Sequence, residues 1–211
     1  MTYNEYSWNT DSHVLFLDQP VNVGFSYSDD GSRVGRSTIA GEDVYVFFQL
    51  FFARFPEYAS APFHIASESY GGTYAPTAAS IFHKKNKELS LAPIPGLTRI
   101  NLASVILANG LTDPLEMFAS VRDYACYGPY RILDPDGKEC NSMKRVTATC
   151  ERLTRSCYRF PTRAGCLSAA YYCYSQLYTP MESTYRLTSG ISSLSPFTFS
   201  PRNGIEHIRC A

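Results

Sequence analysis

The residues best suited to chemistry lie in the run 66–72, which reads ASESYGG and has Ser69 at its centre. An apolar segment that predicts a short buried strand precedes the run, and a segment able to form a helix follows it. A serine on a sharp strand-to-helix turn is a nucleophile elbow, because the turn exposes the hydroxyl and the helix N-terminus offers backbone N–H groups to an oxyanion. Ser69 is therefore a candidate nucleophile.

The flanks of Ser69 differ from the usual elbow pattern G-x-S-x-G, in which strand and helix pass very close. Gly71 occupies the second flank, but Ser67 stands at the first. The extra hydroxymethyl group of Ser67 either fits after a small backbone shift or spoils the turn. Small residues also suit a turn that only packs a helix on a strand, so the motif alone leaves both interpretations open.

A nucleophilic serine needs a general base, and in hydrolases with this elbow the order along the chain is Ser, Asp, His. His13 and His64 precede Ser69 at or beside predicted strands, and we interpret them as structural. His83 is predicted at the basic end of a helix, where a cation complements the helix dipole. His207 has the right order but lies among the cysteines, so order alone gives it little support as the base.

The cysteines are confined to the second part of the chain, residues 126–211: Cys126, Cys140, Cys150, Cys157, Cys166, Cys173 and Cys210. Their gaps of 14, 10, 7, 9, 7 and 37 lack the paired spacing of zinc sites, which favours disulfides and an oxidising compartment. Net charge changes at the same point, with 8 basic and 13 acidic residues before residue 126 and 11 and 6 after it. We therefore expect two regions, 1–125 and 126–211.

Apolar periodicity predicts alternating strands and helices in the first region. Predicted strands cover 13–17, 63–66 and 102–107, predicted helices cover 38–55 and 70–83, and a lysine- and proline-bearing surface loop is predicted at 84–95. This order indicates a parallel α/β sheet. Chemistry in such a sheet lies beyond the carboxyl ends of the strands, which is where the ASESYGG run falls.

Composition excludes several classes of protein. A hydrophobic fraction of 45% excludes disorder, and 19 basic against 19 acidic residues give no charge for nucleic acid or an anionic membrane. The arginines within 145–163 are interpreted as a solvated helix face rather than a nucleic-acid site.

The N-terminus lacks the features of a signal peptide, and no apolar run has transmembrane length. A disulfide-rich region without an export signal leads us to expect a piece of a longer protein.

Five ordered blocks resemble the signature blocks of the serine carboxypeptidases, most of all those of the fungal vacuolar type. The blocks are YSWN at 6–9, LFLDQPVNVGFSY at 15–27, FFARFPEY at 51–58, ESYGG at 68–72 and NGLTDP at 109–114. The cysteines between 126 and 173 are also similar to those of the family. The resemblance implies an α/β-hydrolase fold, present here as its central portion, with a disulfide-rich, mainly helical lid insertion and with removal of single residues from peptide C-termini.

The resemblance also implies roles for individual residues. Ser69 corresponds to the nucleophile, and the backbone N–H of Tyr70 corresponds to an oxyanion-hole donor. Glu68 corresponds to one of two carboxyls that share a proton and help to recognise the terminal carboxylate of the substrate. Leu111 and Phe118 correspond to residues that line the pocket on the acyl side of the scissile bond, with ordinary packing as the alternative.

Three disulfides follow from the same resemblance: Cys126–Cys140, Cys150–Cys173 and Cys157–Cys166. Cys210 is left over, because its partner in the family would follow the last residue of this chain. We expect no cofactor, no metal, and neither nucleic acid nor membrane as partner. The resemblance implies peptide or protein C-termini as substrate and a vacuolar, lysosome-like or secreted location.

The blocks that carry the acid and the histidine of the family, G-D-x-D and G-x-G-H, do not occur in the 211 residues, and neither does its N-G-G-P-G block. A serine without its base is a poor nucleophile, so we expect this chain alone to be nearly inactive. Two other functions stay open. One is an acyltransferase or esterase of the same fold, against which Glu68 favours the peptidase; the other is a non-catalytic secreted binding or regulatory protein on a dead hydrolase scaffold.

Overall fold

The structure is a computed structural model that describes residues 3–189. The elements follow in the order α1 (Ser37–Arg54), a 3-10 turn (Pro56–Tyr58), β1 (Phe63–Glu68), α2 (Gly71–Leu91), β2 (Leu102–Ala108), α3 (Pro114–Tyr127), α4 (Lys138–Arg159), α5 (Arg163–Cys173), a π-helical turn (Tyr174–Tyr178) and α6 (Thr179–Ser189). The strands come early and the later half is helical.

Strands β1 and β2 lie side by side and run parallel, with α2 as the connection between them. Their register places Ile65 beside Val105 and Glu68 beside Ala108. The second and third predicted strands are thus confirmed, and so is their parallel arrangement. Because parallel strands end at the same edge, the turn after β1 and the turn after β2 meet there.

Helix α1 confirms the helix predicted over 38–55. Its aromatic face contributes to a group that we call the core cluster: Tyr45, Phe48, Phe52, Phe82 and Ile100. Phe82 of α2 is completely buried, and the ring of Phe48 meets that of Phe63 edge-on with centroids 4.6 Å apart. This cluster packs α1 against α2 and the start of the sheet.

The strand predicted at 13–17 is wrong for this structure. Residues 13–17 form no strand, and Phe16 is 92% exposed although its neighbours are apolar. An apolar run becomes a strand only where a neighbouring strand takes up its backbone hydrogen bonds, and none of the residues 3–189 does so here. The sequence pattern correctly indicates an apolar segment, but it does not show whether a neighbouring strand pairs with that segment.

The loop predicted at 84–95 is also wrong in most of its length, because α2 continues to Leu91. Lysine and glutamate are good helix formers, and Leu89 is buried on the inner face of the helix. The helix ends just before Pro93, whose ring disfavours helical geometry at the preceding residue, Ala92. His83 consequently lies in the middle of α2 and not at its end.

Helices α3, α4 and α5 surround a second group, which we call the cysteine cluster: Val121, Ala125, Cys126, Leu133, Cys140, Met143, Cys150, Cys173 and Leu177. Disulfides join Cys126 to Cys140, Cys150 to Cys173 and Cys157 to Cys166, the pairs that the resemblance implies. Two helices of this part have a side-chain N-cap, which is Asp113 for α3 and Thr162 for α5. The cysteine-rich part is therefore a helical, cross-linked layer.

Helix α3 crosses residue 125, and its Val121 and Ala125 belong to the cysteine cluster. The C-terminal part of α3 therefore packs with the residues that follow it. Within residues 3–189, no helix combines the length and the apolar character that crossing a lipid bilayer requires.

Candidate active site

Ser69 lies on the turn between β1 and α2 with its backbone in the left-handed region, at φ 55°. Its N–H donates to the carbonyl of Ala108 at 3.1 Å, and its carbonyl accepts from the N–H of Gly72 at 3.0 Å and of Leu111 at 2.8 Å. A non-glycine residue in this region costs about 1–3 kcal/mol and persists only where its surroundings fix it. The three hydrogen bonds supply that constraint and leave Ser69 exposed at the end of the sheet.

Ser67 fits into the elbow without loss of the turn. Its hydroxyl donates to the carbonyl of Gly71 at 2.9 Å. A Cβ placed on Gly71 would lie 2.5 Å from the Cβ of Ser67, a distance that side chains do not adopt. The side chain of Ser67 thus fills the space that the two glycines of the usual pattern leave free. Position 71 must remain glycine, because a side chain there would collide with Ser67.

A second close approach joins the elbow to the turn after β2. A Cβ on Gly72 would lie 2.5 Å from the amide nitrogen of Leu111 and 2.7 Å from the Cα of Gly110. The sequence signal for this contact is the Asn109-Gly110 pair, a dipeptide that is typical of turns. In the structure the two glycines let two backbones touch, and this contact places the turn after β2 directly against Ser69.

Tyr70 and Glu68 flank Ser69 on opposite sides of the turn. Tyr70 is the first residue before α2, so its backbone N–H lies at the helix N-terminus. Its phenol pKa is raised by burial and by the nearby Tyr74, while a hydrogen bond with Ser37 acts in the other direction. Glu68 ends β1 with an exposed side chain.

Leu111 and Phe118 occupy different surroundings. Leu111 is 40% exposed and bonds to Ser69 through its N–H, and its carbonyl accepts from the hydroxyl of Thr73 at 2.8 Å. Phe118 packs against the cysteine cluster, edge-on to the ring of Tyr178 at 6.0 Å between centroids. Leu111 is therefore adjacent to the candidate nucleophile, whereas Phe118 lies in the first helix of the helical layer.

A hydrogen-bonded contact links the helical layer to the turn beside Ser69. The Tyr158 hydroxyl of α4 donates to Asp113 Oδ1 at 2.5 Å, and the same carboxylate oxygen accepts from the N–H of Leu115 at 2.9 Å. Asp113 thus caps α3 and also holds α4 by a hydrogen bond. Sequence reasoning misses Tyr158, because nothing in the local pattern connects residues 45 positions apart.

The described histidines do not reach Ser69. His13 meets the ring of Tyr58 edge-on at 4.9 Å, and His64 Nδ1 lies 2.7 Å from Ser104 Oγ across the two strands. In residues 3–189, no hydrogen bond joins the Ser69 hydroxyl to a histidine or carboxylate, and no group of three metal-ligating side chains occurs. His207 and Cys210 lie outside the described residues.

The fold is that of the α/β hydrolases, as comparison with solved structures shows. The chain superposes on the crystal structure of Kex1(delta)p, a prohormone-processing carboxypeptidase from Saccharomyces cerevisiae, with a TM-score of 0.55. The superposition covers 77% of this chain and 35% of that chain, at 22% sequence identity. This likeness establishes the fold.

The chain belongs to the serine carboxypeptidase family, whose sequence model matches residues 1–199. Among curated relatives, carboxypeptidase Y homolog A of Sordaria macrospora is 44% identical over 183 residues, covering 86% of this chain and 30% of the relative. The homolog of Arthroderma otae is 42% identical over 208 residues, covering 96% of this chain and 36% of the relative. The chain thus spans about a third of the length of these relatives.

Proposed function

We propose that the protein is a serine carboxypeptidase that releases C-terminal residues from peptides through an acyl-enzyme on Ser69. The observation that carries the proposal is the exposed serine at positive φ between β1 and α2, in a chain that belongs to this family. The strained turn holds the hydroxyl outside the sheet, where the carbonyl of a peptide bond can approach it.

The proposed reaction has two steps. The Ser69 oxygen attacks the carbonyl carbon of the last peptide bond while a base removes its proton, and the departing amino group takes that proton as the bond breaks. Water then cleaves the resulting ester and restores the serine. The backbone N–H of Tyr70, at the N-terminus of α2, is proposed to stabilise the oxyanion of each tetrahedral intermediate.

The remaining site residues have proposed roles in substrate recognition. Glu68 is exposed beside the nucleophile and is proposed to help recognise the terminal carboxylate of a peptide. Leu111 lies against Ser69 and is proposed to contact the residue on the acyl side of the scissile bond. Phe118 is proposed to contact the same residue from the helical layer.

The division into a hydrolase core at 1–125 and a lid at 126–211 is also proposed. The two separate clusters support it, and α3 forms the joint because it packs with the lid and is capped beside the elbow. Three disulfides suit an oxidising environment, so we propose a location in the secretory pathway, either vacuolar or extracellular.

The reaction requires a histidine in contact with Ser69 and an aspartate that orients this histidine. In residues 3–189, no hydrogen bond joins the Ser69 hydroxyl to a histidine. We therefore propose that the 211-residue chain alone is nearly inactive, because loss of triad members lowers the rate by several powers of ten. A chimera tests this together with the function. In it, the flanking segments of the Sordaria macrospora relative are joined to this chain.

We expect the chimera to react with a fluorophosphonate probe at Ser69 and to release C-terminal residues, and we expect the chain alone to do neither. Ser69→Ala is the control and should abolish both signals. Stoichiometric labelling of the chain alone would contradict its inactivity and require a different base. A folded but unreactive chimera would support the non-catalytic scaffold, and a chimera that cleaves esters but not peptides would support an esterase.

A further inference from the structure

A cleft of about 660 Å³ opens at the edge of the sheet where both strands begin. Its walls come from residues 59–60 before β1, from one face of α2, and from residues 99–102 at the start of β2. Ser69 lies at the opposite end of β1, six residues and therefore about 20 Å away. The cleft is thus separate from the candidate active site.

The ionisable side chains that line the cleft are all basic: His83 and Lys87 from α2, and Arg99 from the segment before β2. No aspartate or glutamate belongs to the lining. Glu88 follows Lys87 in the sequence, but its carboxylate pairs with Lys85 at 3.9 Å. Among the residues that the structure describes, no ion pair neutralises the three basic groups.

The floor of the cleft is fixed by side-chain amides that bond to backbone. Asn86 donates to the carbonyl of Ile100 at 2.7 Å and accepts from the N–H of the same residue at 2.9 Å. Asn101 donates to the carbonyl of Ser60 at 3.1 Å, which ties two walls together. Since these amides hold the segment that carries Arg99, its guanidinium is presented from a fixed backbone rather than from a free loop.

This combination points to an anionic ligand with several oxygens. The planar fork of an arginine matches two oxygens of a phosphate or carboxylate, and lysine adds a point charge. The volume lies in the range of pockets for small organic ligands and exceeds that of a single phosphate group. We propose that the cleft binds a phosphate-bearing small molecule, either an organic phosphate or a short polyphosphate.

The test is calorimetric titration of the purified protein with inorganic tripolyphosphate and, separately, with a phosphate monoester such as glucose 6-phosphate. We expect saturable binding of at least one probe at one site per chain. Arg99→Gln and Lys87→Gln should each weaken it roughly ten-fold, the usual size of a charge-assisted hydrogen bond. The probe that binds more tightly identifies which of the two phosphate chemistries the cleft prefers.

Lys84→Gln is the matched control, because Lys84 is exposed on the same helix but does not line the cleft. It should leave the affinity unchanged, and Arg99→Lys should weaken binding less than Arg99→Gln. Equal losses in Lys84→Gln and Lys87→Gln would show diffuse attraction to surface charge and overturn the proposal. So would the absence of saturable binding of both probes while thermal melting shows a folded protein. Reactivity at Ser69 tests the proposed function independently, since the cleft is remote from it.

Discussion

Gly72 and Gly110 are the residues on which the geometry around Ser69 depends most directly. Each leaves room for the backbone of the other, and the N–H of Leu111 reaches the carbonyl of Ser69 only because the two turns touch. Any side chain at Gly72 must displace backbone atoms, which cannot move aside as the end of a flexible side chain can.

We predict that Gly72→Ala destabilises the protein by about 1–3 kcal/mol, the usual cost of forcing extra atoms into a packed site. Urea unfolding of the variant measures the loss. Gly35→Ala is the matched control, because a Cβ at Gly35 meets nothing within 4 Å, and its effect should stay within about 0.5 kcal/mol. Equal stability of the two variants would show that the turns separate without cost.

At the scale of single residues, the sequence predicts features that depend only on nearby positions in the chain. Ser69 is recognisable because strand, small residues and helix surround it within ten positions, and the fit of Ser67 beside Gly71 is compatible with one of the two outcomes that the sequence leaves open. The bond from Tyr158 to Asp113 is not recognisable, because it arises only when α4 packs against the start of α3. Contacts between distant residues depend on packing, and a single sequence does not display them.

At the scale of elements, two side-chain amides align the segment that leads into β2. Gln49 of α1 donates to the carbonyl of Thr98 and accepts from its N–H, both at 2.8 Å. Asn86 of α2 forms the same pair of hydrogen bonds with the backbone of Ile100. Each amide satisfies one backbone donor and one acceptor, as a neighbouring strand would. The segment therefore enters the sheet already extended.

Removing one of these amides should expose the backbone that it serves. We predict that Gln49→Ala costs about 1–3 kcal/mol of unfolding free energy, because it leaves the N–H and carbonyl of Thr98 without these partners. Amide hydrogen exchange at Thr98 should accelerate as well. Gln176→Ala is the control, since Gln176 is exposed, and it should change neither quantity. Unchanged exchange at Thr98 in Gln49→Ala would mean that the amide contributes nothing to the alignment.

The two errors in the sequence prediction of elements share a physical cause. The apolar run at 13–17 predicts a strand, but periodicity does not show whether a partner strand is present. The lysines after His83 suggest a loop by their charge, although lysine is a good helix former and Leu89 supplies an inner contact. Tertiary neighbours decided both cases, whereas α1, β1 and β2 were predictable because their own apolar patterns suffice.

At the scale of the whole molecule, apolar surface remains uncovered along the sheet and the N-terminal segment. Val105, Ile106 and Leu107 of β2 are 37%, 43% and 41% exposed, and Phe16 and Phe25 are 92% and 96% exposed. In the described sheet each of the two strands also has an edge without a neighbouring strand. Exposed edges and apolar patches of this kind favour association with other chains.

We predict that the isolated 211-residue chain binds a hydrophobic dye strongly and associates as its concentration rises. The double variant Phe16→Ser with Phe25→Ser should reduce both effects. Tyr130→Ser, which removes another exposed aromatic residue from the cysteine-rich part, serves as the control and should reduce them less. A cooperative melt of a monomeric chain, measured by light scattering and calorimetry together, would contradict this prediction.

The disulfides have a consequence for the order in which the protein matures. Cys126 and Cys140 both precede the other paired cysteines in the sequence, and Cys157–Cys166 is nested inside Cys150–Cys173. During synthesis from the N-terminus, the first pair can therefore oxidise as soon as its second cysteine emerges, and the inner loop can close before the outer one. None of these bonds involves a residue before Cys126. The three disulfides can therefore form without any covalent bond to the strands beside Ser69.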